Sequence, residues 1–183
     1  MPNWCDCDLN VVGKTKEVNG FIAFAETKKG GDVKEYIAID TNNFIPYPKR
    51  FKELDEKARE HNSKVGTLKG KAKERFERME DGFNSGGYDW CLQNWGTKWG
   101  ICDSEKQEEY GWEGKEDKEV IYKFQTAWSP PNPIILRMSK LFPDLEFEMR
   151  YFEGGGGFNG IYRCKNGEVQ RDEQGDYFGD RGG

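Results

Sequence analysis

Few groups in this chain have a type and spacing that could carry out a reaction. His61 is the only histidine, and no serine or cysteine nucleophile is tied to it by a recognisable pattern. Asp6 with Asp8, and Glu146 with Glu148, stand two residues apart. Each pair falls on one face of a strand, where carboxylates could hold Mg²⁺, although outward positions on a half-exposed strand explain both pairs more simply. Cys5 and Cys7 share a strand face in the same way, but no Cys-x-x-Cys or histidine cluster completes four ligands. There is no G-x-x-x-x-G-K-[ST] sequence, and Gly154 to Gly157 lacks both the following lysine and a clear helix to hold phosphate, so it reads as a flexible link. No catalytic residue, metal or cofactor is expected.

Binding chemistry is better represented. From Lys49 to Glu80 there are eleven Lys/Arg against seven Asp/Glu. Lys64, Lys69, Lys71, Lys73, Arg75 and Arg78 could neutralise phosphates and give salt-dependent affinity for nucleic acid. From Asp103 to Glu119 the balance reverses, with eight Asp/Glu against three Lys. Here Asp103, Glu105, Glu108, Glu109, Glu113, Glu116 and Asp117 are interleaved with Tyr110 and Trp112, a composition suited to docking on the basic groove of a nucleic-acid enzyme. Charge would steer the encounter, and a ring would supply a desolvated anchor. A solvated charged surface is the plain alternative for both segments.

The third feature is aromatic. Residues 88 to 100 hold three of the chain's six tryptophans. Trp95 and Trp99, with Asn94, Thr97 and Lys98, read first as a structural hub in which large rings fasten several elements together. A polar site beside stacked rings, able to stack bases, is the functional alternative.

Elements to position these groups follow from periodicity. The chain has 183 residues, 35% of them hydrophobic, 14% aromatic and 33% charged, with a net charge of -5. That is enough for one core built largely of rings. Cys5 to Val12 alternates as a half-buried strand. Thr15, as N-cap, opens a helix with Val18, Phe21, Ile22 and Ala25 inward and Gly30-Gly31 as its stop. Tyr36 to Asp40 reads as a second strand. Two helices joined by a glycine break fill Arg50 to Gly82. Tyr88 to Trp95 forms a short helix that Gly96 ends, and Thr97 to Cys102 runs on as a strand. The acidic stretch reads as an exposed loop or a twisted hairpin. Val120 to Thr126 is a strand, Asn132 caps a helix that Pro143 stops, and Leu145 to Tyr151 alternates again. Asn166-Gly167 signals a hairpin.

Strand-helix-strand, twice over, predicts an α+β two-layer sandwich, a ferredoxin-like split β-α-β domain spanning 1–183. It carries a helical and aromatic insertion at about 50–118 and a C-terminal hairpin. Five cysteines in an odd set, with no export signal and no run of ~20 apolar residues, point to a reducing cytoplasm and no membrane span.

Three passages carry a resemblance: Met1-Pro2-Asn3-Trp4-Cys5, then Asn94-Trp95-Gly96-Thr97-Lys98-Trp99, then Thr126-Ala127-Trp128-Ser129-Pro130-Pro131 running on to Phe142-Pro143 and Tyr151-Phe152-Glu153. Together they resemble the YubB-like family, proteins with a ferredoxin-like domain carried by phages and conjugative plasmids. That family usually has Asn where this chain has Cys7. The resemblance implies the fold and a mobile-element origin, and it brings no catalytic residues. The function expected on these grounds is that of an accessory interaction protein. It would be a counter-defence inhibitor of a host protein or ribonucleoprotein such as a CRISPR-Cas nuclease. Direct nucleic-acid binding through the basic stretch is the alternative.

Overall fold

A computed structural model of the chain describes residues 3–29, 35–66, 78–111 and 116–176. The N-terminal alternation forms β1 (Trp4–Lys14), whose Cys5, Cys7, Leu9 and Val11 are buried. Trp4, Asp6, Asp8 and Asn10 are left on the opposite face. Helix α1 (Thr15–Ala25) follows without a side-chain cap. Thr15 instead donates through its amide and its hydroxyl to the Glu116 carbonyl, at 2.7 and 2.9 Å. The helix stops at Ala25, ahead of Gly30-Gly31, which lie outside the described residues.

The second sheet strand is not Tyr36 to Asp40. That stretch supplies only β3 (Glu35–Ile37), which pairs with β2 (Thr27–Lys29) in a separate two-stranded ribbon. Four elements follow before the main sheet resumes: α2 (Thr41–Phe44), α3 (Lys49–Gly66), an irregular turn over Phe83–Gly87, and α4 (Tyr88–Trp95). Gly96 ends α4 at φ 76°, the left-handed stop expected of it. Thr97 to Gly100 is a series of bends rather than a strand.

The strand that completes the first β-α-β unit is β4 (Cys102–Gly111), antiparallel to β5 (Asp117–Ala127). The acidic segment is therefore a hairpin, the second of its two expected forms. Its register shifts between Cys102 and Glu105 and again between Lys106 and Glu109. Such irregularities erase the period of two that marks a strand, and an edge strand in water needs no apolar alternation.

Helix α5 (Asn132–Leu141) then leads into β6 (Glu146–Glu153), β7 (Phe158–Lys165) and β8 (Glu168–Asp176). The main sheet has the order β4-β5-β1-β6-β7-β8, antiparallel throughout. Within it, β1-α1-β4-β5-α5-β6 is a β-α-β-β-α-β unit with its first strand between its third and fourth, the ferredoxin-like split β-α-β arrangement. β7 and β8 extend the sheet as the C-terminal hairpin. Asn166 and Gly167 turn it with φ of 51° and 73°, the pair of left-handed residues that a two-residue hairpin loop favours.

Helices α1 and α5 cover one face of the sheet. Between them and the strands, Phe21 is fully buried with its ring centroid 5.3 to 6.0 Å from those of Phe44, Tyr122, Phe142 and Phe147. The core is thus ring-built, and its centre is Phe21 rather than a tryptophan. Gly154 to Gly157 is a tight turn, not a flexible link. The buried Glu153 carboxylate accepts from the amides of Gly155 and Gly156, and its carbonyl accepts from Gly157.

Candidate functional site

The tryptophan hub is built from two chain segments that clasp each other. Thr97 is fully buried, and its hydroxyl donates to the Ala127 carbonyl at 2.9 Å. Ser129 donates to the Gly96 carbonyl at 2.7 Å, Thr126 donates to the Ser129 carbonyl at 2.7 Å, and the Trp128 amide donates to the Asn3 carbonyl at 3.0 Å. The Thr97 bond is buried and those of Ser129 and Thr126 are partly so, and together they set the mutual position of the two segments. Trp95 is buried behind them, its indole N–H donating to the Ile45 carbonyl at 2.9 Å and its ring 5.2 Å from Trp90. Asn94 donates to the Trp90 carbonyl one turn back. Asn94, Trp95 and Thr97 thus each direct a side-chain donor to a backbone carbonyl of the fold. In the alternative reading, a polar site of Asn94, Thr97 and Lys98, the Asn94 amide and the Thr97 hydroxyl donate to the Trp90 and Ala127 carbonyls.

Lys98 differs from these neighbours. Its ammonium lies 4.5 Å from the ring centroid of Trp128 and 4.9 Å from that of Trp99, and Trp99 packs 6.2 Å from Trp4. No carboxylate among the described residues forms an ion pair with it. Trp128 is 41% exposed and has φ 73°, a conformation that costs a bulky side chain about 1–3 kcal/mol and persists only where the surroundings impose it. Position 128 was part of the resemblance but not of the expected site. Its φ and its exposure become visible only once the clasp has formed.

The acidic set is divided. Glu109 pairs with Lys106 and with Lys118, and these ammonium groups hold its carboxyl below the ordinary range. Glu116 and Asp117 pair with Lys14 at 3.7 and 2.9 Å. Among the described residues Asp103 and Glu105 have no ion-pair partner, and Tyr110 is 45% exposed. These three lie on β4, one of the two edge strands of the main sheet. Beside it, the Ile39 amide donates to the Ser104 hydroxyl at 3.0 Å. The side chain of Glu108, and residues Trp112 and Glu113, lie outside the described residues. So do Lys69, Lys71, Lys73 and Arg75 of the basic set, of which Lys64 and Arg78 are described and exposed.

The paired carboxylates are occupied in other ways. Asp6 accepts from Gln125 at 2.8 Å. Glu148 is gripped by Arg163 and, at 3.3 Å, by Arg150, so its carboxyl is held below the usual range, chiefly by the Arg163 hydrogen bond. Cys5 and Cys7 face the core, with burial pushing the Cys7 thiol up. Among the described residues no group of three or more His, Cys, Asp or Glu side chains is placed to hold a metal ion. No helix among them is long and apolar enough to cross a membrane.

Comparison with known proteins agrees with this architecture. Residues 107–180, from within β4 to past the end of β8, match the family described as "Ferredoxin-like domain in Api92-like protein". A crystal structure of a protein Api92 from Yersinia pseudotuberculosis superposes with a TM-score of 0.50 at 11% identity, over 98% of this chain and 99% of that one. At that identity the likeness is one of fold. No curated protein matches the sequence.

Proposed function

We propose that this protein acts by binding, as a cytoplasmic accessory protein of a phage or plasmid that docks on a host nucleic-acid-handling protein or ribonucleoprotein, in the manner of a counter-defence inhibitor. The observation that carries the reading is the β4 edge. It is one of the two edge strands of the sheet, and it bears Asp103 and Glu105, which form no ion pair among the described residues, and, further along the strand, the half-exposed ring of Tyr110. An edge strand offers backbone donors and acceptors to a partner. Unpaired carboxylates add steering toward a basic surface, and an aromatic ring adds an anchor. The pairing of Glu109, Glu116 and Asp117 with Lys106, Lys118 and Lys14 leaves Asp103 and Glu105 as the carboxylates of this set open to a partner among the described residues. The resemblance to YubB-like proteins supports the mobile-element origin.

Affinity capture from bacterial lysate, with and without nuclease, tests the reading. A protein partner retained after nuclease is expected. Partners that vanish on nuclease treatment would transfer the function to direct nucleic-acid binding through the basic stretch of Lys64 to Arg78.

A further inference from the structure

A second surface stands apart from the β4 edge and does not depend on it. An open cavity of about 330 Å³ is lined by Phe83, Asn84, Gly86, Tyr88, Asp89, Lys98 and Trp128, at the low end of the size of small-ligand sites. From the groups that converge there, we infer that this cavity binds a nucleotide unit, with the base stacked on Trp128 and the phosphate on the Lys98 ammonium.

Three observations point the same way. Lys98 is half-buried against two indoles, and among the described residues no carboxylate neutralises it by ion pairing, so its charge is available to an anion beside an aromatic surface. An anion held next to a ring favours ligands that are themselves a planar ring joined to a phosphate. Second, Trp128 keeps a left-handed backbone and an exposed ring at once. The Trp128 amide donates to the Asn3 carbonyl and Thr126 to the Ser129 carbonyl, so the backbone that presents the ring is set by the fold before any ligand arrives. Third, the opposite wall is polar. Asp89 is exposed on the first turn of α4, where its carboxylate can accept from the amino or imino group of a base. Asn84, which also lines the cavity, donates from its side chain to Asp81 at 2.8 Å, and its carbonyl oxygen is an acceptor of the kind a base amino group needs.

The nucleotide could be free or part of a single strand, and two probes separate these sources. Binding of adenosine monophosphate is measured by calorimetry, and binding of a short fluorescein-labelled oligo(dA) by anisotropy, each with the full chain and with Lys98→Gln and Trp128→Gly. The glycine variant removes the ring at a position whose φ glycine adopts freely, so the fold is kept, and circular dichroism checks this. Loss of the stacked ring is expected to weaken binding roughly fivefold to a hundredfold, and loss of Lys98 to weaken it and flatten its salt dependence. Binding of both probes with these losses identifies a free nucleotide as sufficient, while binding of the oligomer alone with the same losses identifies a strand. Absence of binding by either probe overturns the inference. So does oligomer binding that survives both substitutions, because it would then belong to the basic stretch.

Discussion

Replacing Gly96 by alanine probes the clasp on which the hub depends. Gly96 has φ 76°, and a Cβ built there meets the Pro133 Cδ at 2.6 Å and its Cγ at 3.2 Å. The left-handed backbone alone costs an L-residue about 1–2 kcal/mol. Pro133 is a rigid ring at the start of α5, so it cannot rotate aside, and overpacking adds about 1–3 kcal/mol. The sum is about 2–5 kcal/mol, a large share of the ~5–15 kcal/mol that holds a typical protein folded. Gly157 supplies the control. Its φ is 71°, yet nothing lies within 4 Å of an added Cβ, so Gly157→Ala incurs the backbone cost alone. Urea unfolding followed by tryptophan fluorescence measures both, and Gly96→Ala is expected to lose about 1–3 kcal/mol more than Gly157→Ala. Equal losses at the two positions would refute the steric account of the clasp.

Three further outcomes are expected. Trp95→Phe removes the donor to the Ile45 carbonyl and should cost about 1–3 kcal/mol in the same urea experiment. The depressed carboxyl of Glu148 contributes stability above the ordinary carboxylate pKa, and that contribution is lost as pH falls through the lower folded-state value. Glu148→Gln should therefore be less stable than the parent at neutral pH, and the gap should narrow as pH falls below the ordinary carboxylate range, read as urea midpoints at each pH. Among the cysteines, Cys5, Cys7, Cys91 and Cys164 are buried and Cys102 is half-buried. Iodoacetamide on the native protein should label Cys102 first, as mapped by peptide mass spectrometry, with the others reacting only on unfolding.

Much of the ferredoxin-like framework is legible in the sequence because its central strands alternate cleanly. β1, β5 and β6 are each buried on one face, so Leu9, Tyr122 and Met149 fall in a common register across the sheet. The edge strand is not legible in that way. β4 reads as an exposed loop or a twisted hairpin because its residues are charged rather than alternately apolar, and two register shifts break its period. Tyr36 to Asp40 mimics a sheet strand in composition, yet Ala38 and Ile39 are buried in a bend after β3. At the hub, residue types alone could not separate the groups used internally from those left exposed. Thr97 finds its partner across the clasp and Asn94 within its own helix, while the Lys98 ammonium lies over the rings of Trp99 and Trp128 and forms no ion pair among the described residues. Trp128 required the conformation of its own backbone to be known.

The most direct test of the docking reading compares nuclease-treated capture by the parent chain with capture by a variant carrying Asp103→Lys, Glu105→Lys and Tyr110→Ala. Partner proteins are quantified by mass spectrometry, and circular dichroism verifies the fold of both chains. The β4-edge account expects a partner that survives nuclease and falls at least tenfold with the variant, since one aromatic anchor alone is worth about 2 kcal/mol. A partner retained equally by both chains would contradict it.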